Sequence, residues 1–165
     1  EITLVCVSDT HTEHPALDPL PEGDILLHAG DWTRFGDEEH VTIFNEWLGT
    51  LNFKHKIIVN GNHECNAPWK KKAKELLSNG TLLIDEATEV MGLRIHGTQF
   101  YWPLGLCAPG ASPYSLVEEG VDILMCHGPA KGYLDGNDSG CLELVTHIAR
   151  VCPIWSNFSI SDMNF

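Results

Sequence analysis

Four short apolar runs, each broken by a tip of metal-competent or proton-carrying residues, constrain this chain more than any other feature. The clearest spans residues 56–64, Lys-Ile-Ile-Val-Asn-Gly-Asn-His-Glu. Its apolar centre, residues 57–59, has the length and β-branching of a buried strand. It stops at Asn60-Gly61-Asn62-His63, where a glycine that permits a tight turn precedes an amide and an imidazole. Residues 2–7 likewise deliver Ser8-Asp9-Thr10-His11. Residues 24–29 run into Gly30-Asp31-Trp32, and residues 121–126 into His127-Gly128-Pro129.

Between these runs the chain alternates in period. Residues 38–51 carry Val41, Phe44, Trp47, Leu48 and Leu51 on one helical face, with Asp37 as the expected N-cap. A second helix is expected from Pro68 to Gly80, with Lys70, Lys71, Lys72 and Lys74 as a solvated face. Residues 82–84, 87–91 and 93–97 read as short strands. Residues 13–23 and 103–113 read as loops, and Ser139 as the cap of a helix over 140–151 that Pro153 stops. The last dozen residues show no periodicity. Strands alternating with helices predict an α/β fold in one domain, with ligands at the carboxyl ends of the strands.

Composition narrows the function. The 165 residues carry 23 acids against 10 bases, a net charge of −13, the reverse of a nucleic-acid backbone binder. An acidic chain can still handle phosphate where bound cations supply positive charge. No apolar run reaches a membrane span and no secretory signal is visible. Six cysteines occur without a Cys-x-x-Cys pair, so a structural zinc knuckle is not expected. Cys6 and Cys126, inside apolar runs, are expected to act as small hydrophobes. A reduced, cytoplasmic setting follows from that usage.

If the four strands were neighbours in one sheet, Asp9, His11, Asp31, Asn62, His63 and His127 would converge on one rim. Carboxylate, amide oxygen and imidazole suit Mn²⁺, Fe or Zn²⁺, and the hard oxygens admit Mg²⁺. Each residue also has a plainer reading. Asp9 and Asn62 fit turns or caps, and His127 fits a satisfied core histidine. It is the conjunction of four such tips that points to a site. His14, His28, His40, His55, His96 and His147 match no such pattern and read as core or surface residues.

Asp9-Thr10-His11, Gly30-Asp31, Gly61-Asn62-His63-Glu64 and His127-Gly128 resemble four blocks of the calcineurin-like metallophosphoesterase superfamily. Phe44-Asn45-Glu46-Trp47-Leu48, Asp122-Ile123-Leu124 and Gly140-Cys141 resemble its metallophosphoesterase-domain-containing (MPPED) subfamily. The resemblance covers residues 2–153, leaving 154–165 as a divergent tail. It implies a four-layer αββα sandwich around a dinuclear metal site, and this sequence departs from it in that the C-terminal strands are expected to be missing. It assigns Asp9 and His11 to one metal, Asp31 to a bridge, and Asn62 and His127 to the second metal. It makes His63 the general acid or charge stabiliser at the leaving-group oxygen. The implied activity is that of a metal-dependent hydrolase, a phosphodiesterase in which metal-held hydroxide attacks phosphorus. The substrate would be small, a cyclic nucleotide or similar phosphoester, with manganese among the candidate cofactors and neither nucleic acid nor membrane as partner.

The superfamily's fifth block, Gly-His-x-His, has no counterpart here, since no histidine follows His147. One of its histidines binds each metal in the family. The chain therefore admits a catalytically weak or inactive nucleotide- or metal-binding relative beside the active hydrolase. A structural interaction domain is the third alternative.

Overall fold

The computed structural model describes residues 1–100, 112–133, 135, 140–151 and 153, and the backbone of 155–158. The expected cap Ser139 and most of the 103–113 loop lie outside these residues.

The runs at Ile25–His28 and Ile123–Cys126 are buried at every position, as strands covered on both faces by helices or by a second sheet require. Strands β1 (Leu4–Val7), β2 (Ile25–His28), β3 (His55–Val59) and β4 (Thr81–Leu83) make one sheet in that order, every pair parallel. Strands β5 (Glu86–Val90), β6 (Leu93–Gly97), β7 (Ile123–Cys126) and β8 (Trp155–Phe158) make the second. Within it β5 and β6 are antiparallel, while β7 runs parallel to both β6 and β8.

Alternation along β2 shows how the layers stack. Leu26 points into a core shared with Val41, Phe44, Trp47 and Leu48 of helix α1 (Glu38–Thr50). Ile25 and Leu27 point the other way, into a core with Ile95, Ile123 and Met125 of the second sheet. On the far side of that sheet Leu124 and Cys126 pack with Leu144 and Val151 of helix α4 (Leu142–Val151). Three apolar cores thus separate four layers, and each fully buried Leu, Ile or Phe contributes about 1.5–3 kcal/mol of transfer free energy.

The structure corrects three expectations. The helix expected over 68–80 is a 3-10 turn at Lys70–Lys72 followed by the single turn α3 (Ala73–Leu76). Buried Trp69, Ala73 and Leu77 repeat every four residues, which reads as a helix. However, Trp69 is fixed by donating its indole N–H to the Gly36 carbonyl, and the chain leaves it through tight i to i+3 bonds. The four-residue turn α2 (Asn62–Cys65) sits earlier, at the tip of β3. Cys6 is exposed on β1, which among the described residues pairs only with β2, although Cys126 is buried as expected. Burial pushes the Cys126 thiol well above its ordinary range. The third correction concerns the strand tips.

Candidate metal centre

The four ligand-bearing strands are not neighbours in one sheet. β1, β2 and β3 lie side by side, but β7, which delivers His127, belongs to the second sheet. The tips still meet because the sheets face each other, so the centre bridges their carboxyl ends.

The loop after β1 zips to the loop after β2. The Asp9 amide donates to the Gly30 carbonyl at 3.0 Å and the His11 amide to the Asp31 carbonyl at 3.0 Å. Asp9 and Asp31 both take left-handed backbone, at φ 51° and 52°. That conformation is uncommon outside glycine but tolerated best by Asp and Asn. Two glycines give the loops room. A Cβ on Gly30, at φ 103°, would stand 2.6 Å from His127 Nδ1. A Cβ on Gly61 would stand 2.0 Å from Asp31 Oδ1. Gly61 is extended at φ −91°, so this glycine is needed for clearance and not for a turn.

Asp31 is the centre of the arrangement and is 3% exposed. Its Oδ1 accepts the His63 amide at 3.0 Å, capping α2 from another loop. Its Oδ2 faces three imidazoles: His127 Nε2 at 3.4 Å, His63 Nε2 at 3.8 Å and His11 Nε2 at 4.0 Å. Donor atoms of His11, Asp31 and His63 lie within 4.8 Å of one another, as do those of Asp9, Asp31 and His127. Asn62 Oδ1 lies 3.1 Å from His127 Nε2. All six residues singled out in the sequence therefore meet. Asp31 is shared by both groups, and Asp9 stands with His127.

The donor set fits a cation. Nitrogen and oxygen ligands on a metal at about 2.0–2.2 Å stand roughly 3 Å apart, and these distances are slightly wider. His127 makes the point sharpest. Its Nδ1 donates to the Ala29 carbonyl at 2.8 Å, the usual way a ligating histidine is oriented with its other nitrogen bare. That nitrogen then faces two oxygens, Asn62 Oδ1 and Asp31 Oδ2, which is repulsive unless a proton or a cation lies between. Burial works against the charged ring. The Asp31 hydrogen bond and charge, with the Asp9 charge, outweigh it and hold His127 above its ordinary pKa. For Asp31, burial works upward, and the His127 hydrogen bond and charge, with the His63 amide, bring it below the ordinary range.

Two supporting residues escaped the sequence reading. Glu64, 0% exposed, accepts four bonds. Oε2 takes the Asp31 and Gly61 amides at 3.0 and 2.9 Å, and Oε1 takes the Thr33 amide and hydroxyl at 2.8 and 2.6 Å. It locks the β3 tip to the β2 tip. Burial and the Asp31 charge push its carboxyl up, against the pull of the Thr33 and Gly61 donors. His28, read as a core residue, is buried and ties the β1 tip to the β2 tip. Its Nε2 pairs with the Thr10 hydroxyl at 3.0 Å, and its Nδ1 accepts the Gly30 amide at 3.3 Å. A histidine ending a ligand strand was the available signal, and only the neighbouring loop gives it meaning.

The sequence model of the calcineurin-like phosphoesterases matches residues 2–152. The chain is 37% identical over 183 residues to the human and mouse proteins named metallophosphoesterase domain-containing protein 1, covering 89% of this chain and 56% of each relative. It is 34% identical to a UPF0046 protein of Caenorhabditis elegans, covering 96% of this chain and 68% of that one. The chain therefore belongs to the calcineurin-like phosphoesterase family, in its metallophosphoesterase-domain-containing subfamily. It spans little more than half the length of the mammalian relatives it matches. The family's chemistry is metal-dependent phosphoester hydrolysis. Strand β8 lies within residues 154–165, the stretch that the resemblance leaves outside. Its backbone pairs with β7 in parallel, Phe158 level with Cys126. No helix among the described residues is long and apolar enough to cross a membrane.

Proposed function

We propose that this chain is a metal-dependent phosphoester hydrolase acting on a small phosphodiester, and that Asp31 is the residue that would serve two divalent cations. The observation that carries the reading is that one buried carboxylate oxygen faces three imidazole Nε2 atoms within 4.0 Å. By the resemblance Asp9 and His11 would help to hold one cation, and Asn62 and His127 the other. Bound cations supply a nucleophile at neutral pH and neutralise charge on the phosphoryl group. In a chain of net charge −13, that is the positive charge an anionic substrate requires.

His63 is the proton carrier in this reading. Its Nδ1 lies 3.0 Å from the Phe35 amide, a donor, and 3.1 Å from the Thr33 carbonyl, an acceptor. The loop therefore supports either tautomer, and Nε2 can face the site with or without its proton. A group that gives a proton to a leaving oxygen and later recovers it needs both states.

The test is Mn²⁺ calorimetry at pH 6, 7 and 8 with hydrolysis of an aryl phosphodiester, on the native chain and Asp31→Asn. A cation must displace the His127 proton, and that pKa is raised, so affinity should climb with pH through and above the ordinary histidine range. Asp31→Asn should lose both binding and turnover. Equal turnover in that variant would refute the reading, and Mn²⁺ binding without turnover would leave a binding protein only.

A further inference from the structure

Beside the candidate metal centre the chain displays an aromatic ring. Phe35 is 78% exposed, the highest value among the large hydrophobic side chains described. Its backbone is left-handed at φ 56°, a strained state for a bulky residue. Nothing about the segment is loose. The Arg34 carbonyl accepts from His40 Nδ1 at 3.1 Å, the Phe35 amide donates to His63 Nδ1 at 3.0 Å, and the Gly36 carbonyl accepts from the buried Trp69 indole at 2.5 Å. Three consecutive residues are thus tethered so that one apolar ring stays in water. An outlier held this firmly next to a reactive cluster invites a functional explanation.

The surroundings say what the ring would meet. Phe35 stacks on His63 with planes 15° apart and centroids 5.5 Å apart. The Arg34 guanidinium lies 5.9 Å from the Phe35 centroid, within cation–π range. His11, Glu13, Arg34, Phe35 and His63 line an open pocket of about 360 Å³, within the usual range for small ligands. Two of its walls, His11 and His63, are residues that face Asp31. Arg34 is the one arginine or lysine among the lining residues, and Glu13 the one acid. A group bound here would be planar, to lie against Phe35, and attached to an anion, to suit Arg34 and the cations.

We propose that Phe35 and Arg34 form a stacking edge that selects phosphoesters carrying a planar aromatic group, an aryl ring or a nucleobase. The proposal rests on the metal-centre reading for the position of the phosphate, and on Phe35 and Arg34 for the preference. Phe35 is a specificity residue here, since the ring touches the substrate's aromatic part and not the reacting phosphorus.

The test measures binding of four probes to the Mn²⁺-loaded chain by calorimetry: phenyl phosphate against methyl phosphate, and adenosine 5′-monophosphate against ribose 5-phosphate. The aromatic member of at least one pair should bind about 2- to 12-fold more tightly, the factor an aromatic pair adds beyond its area. Preference in the first pair alone identifies an aryl group next to phosphorus, and preference in the second identifies a nucleobase. Phe35→Leu should bring the ratio close to one while Phe35→Trp retains it. Thermal melts check folding, which an exposed side chain should leave intact. No preference in either pair, or a preference that survives Phe35→Leu, overturns the proposal. Asp31→Asn separates the two claims. If it leaves methyl phosphate binding intact, the metal-centre reading fails whatever Phe35 does. If it abolishes that binding while the ratios stay at one, the stacking edge alone fails.

Discussion

Glu64→Gln is the most informative single substitution outside the ligands. Glu64 has no exposure and presents acceptors only, to three backbone amides and one hydroxyl. Glutamine keeps the shape but turns one oxygen into an NH₂ group. In either orientation that group confronts two donors, the Asp31 and Gly61 amides or the Thr33 amide and hydroxyl. Two buried groups left unsatisfied cost roughly 1–3 kcal/mol each, about 2–6 kcal/mol together. Removing a buried charge returns part of that, since burial already disfavours the ionised carboxyl, so the net loss should be on the order of 2–4 kcal/mol. Against a typical domain stability of about 5–15 kcal/mol the variant should still fold. Urea unfolding of the metal-free chain measures the loss, and hydrogen exchange at Asp31, Thr33 and Gly61 locates it. Faster exchange at the Asp31 and Gly61 amides, or at the Thr33 amide, with weaker Mn²⁺ binding, is the expected result. A variant within about 0.5 kcal/mol of the native chain, with unchanged exchange at all three amides, would show that these bonds do not hold the loops together.

Two further predictions follow from the same geometry. Gly61→Ala puts a methyl 2.0 Å from Asp31 Oδ1, so Asp31 or the β3 tip must move. Mn²⁺ affinity should fall at least about 10-fold, as when a supporting contact of a metal site is lost, while a stability change alone with native affinity would contradict the clearance argument. Acid should destabilise the fold through buried histidines. Burial pushes His14 down to about 4 and His28 to about 3, the nearby carboxylates failing to offset it. Both folded-state values lie below the unfolded 6.5, so the unfolded chain takes up these protons first. Stability is then lost as pH falls from about 6.5 toward 4 and 3, at up to ~1.4 kcal/mol per pH unit for each ring. His14 packs against Phe44 and Trp47 with neither ring nitrogen in a hydrogen bond of good geometry. His14→Leu should therefore flatten the slope measured by urea unfolding between pH 6 and 4 by up to half, and an unchanged slope would refute the assignment.

Much of this was legible along the chain. Runs such as 57–59 and 123–126 are apolar at consecutive positions, so they read as strands wherever they pack. The polar residues that end them carry their own chemical meaning, and Asp9, His11, Asp31, Asn62, His63 and His127 were identifiable as a group before any contact was known. Other signals misled because period alone does not fix backbone. Trp69, Ala73 and Leu77 are spaced for a helix, yet the indole bond to Gly36 draws the chain into a tighter turn.

The division between sequence and structure follows from range. Strand identity, loop polarity and the ligand set are local properties, set by side-chain period and residue chemistry within a few positions. The placement of β7 in the second sheet, the use of Asp31 Oδ1 as a cap so that Oδ2 alone faces the imidazoles, and the bonds that Glu64 and His28 make between tips depend on residues 18 to 98 positions apart. Gly61 shows the difference most directly. In the sequence it permits a turn, and only the packed loops reveal that Asp31 needs the space where its side chain would have been.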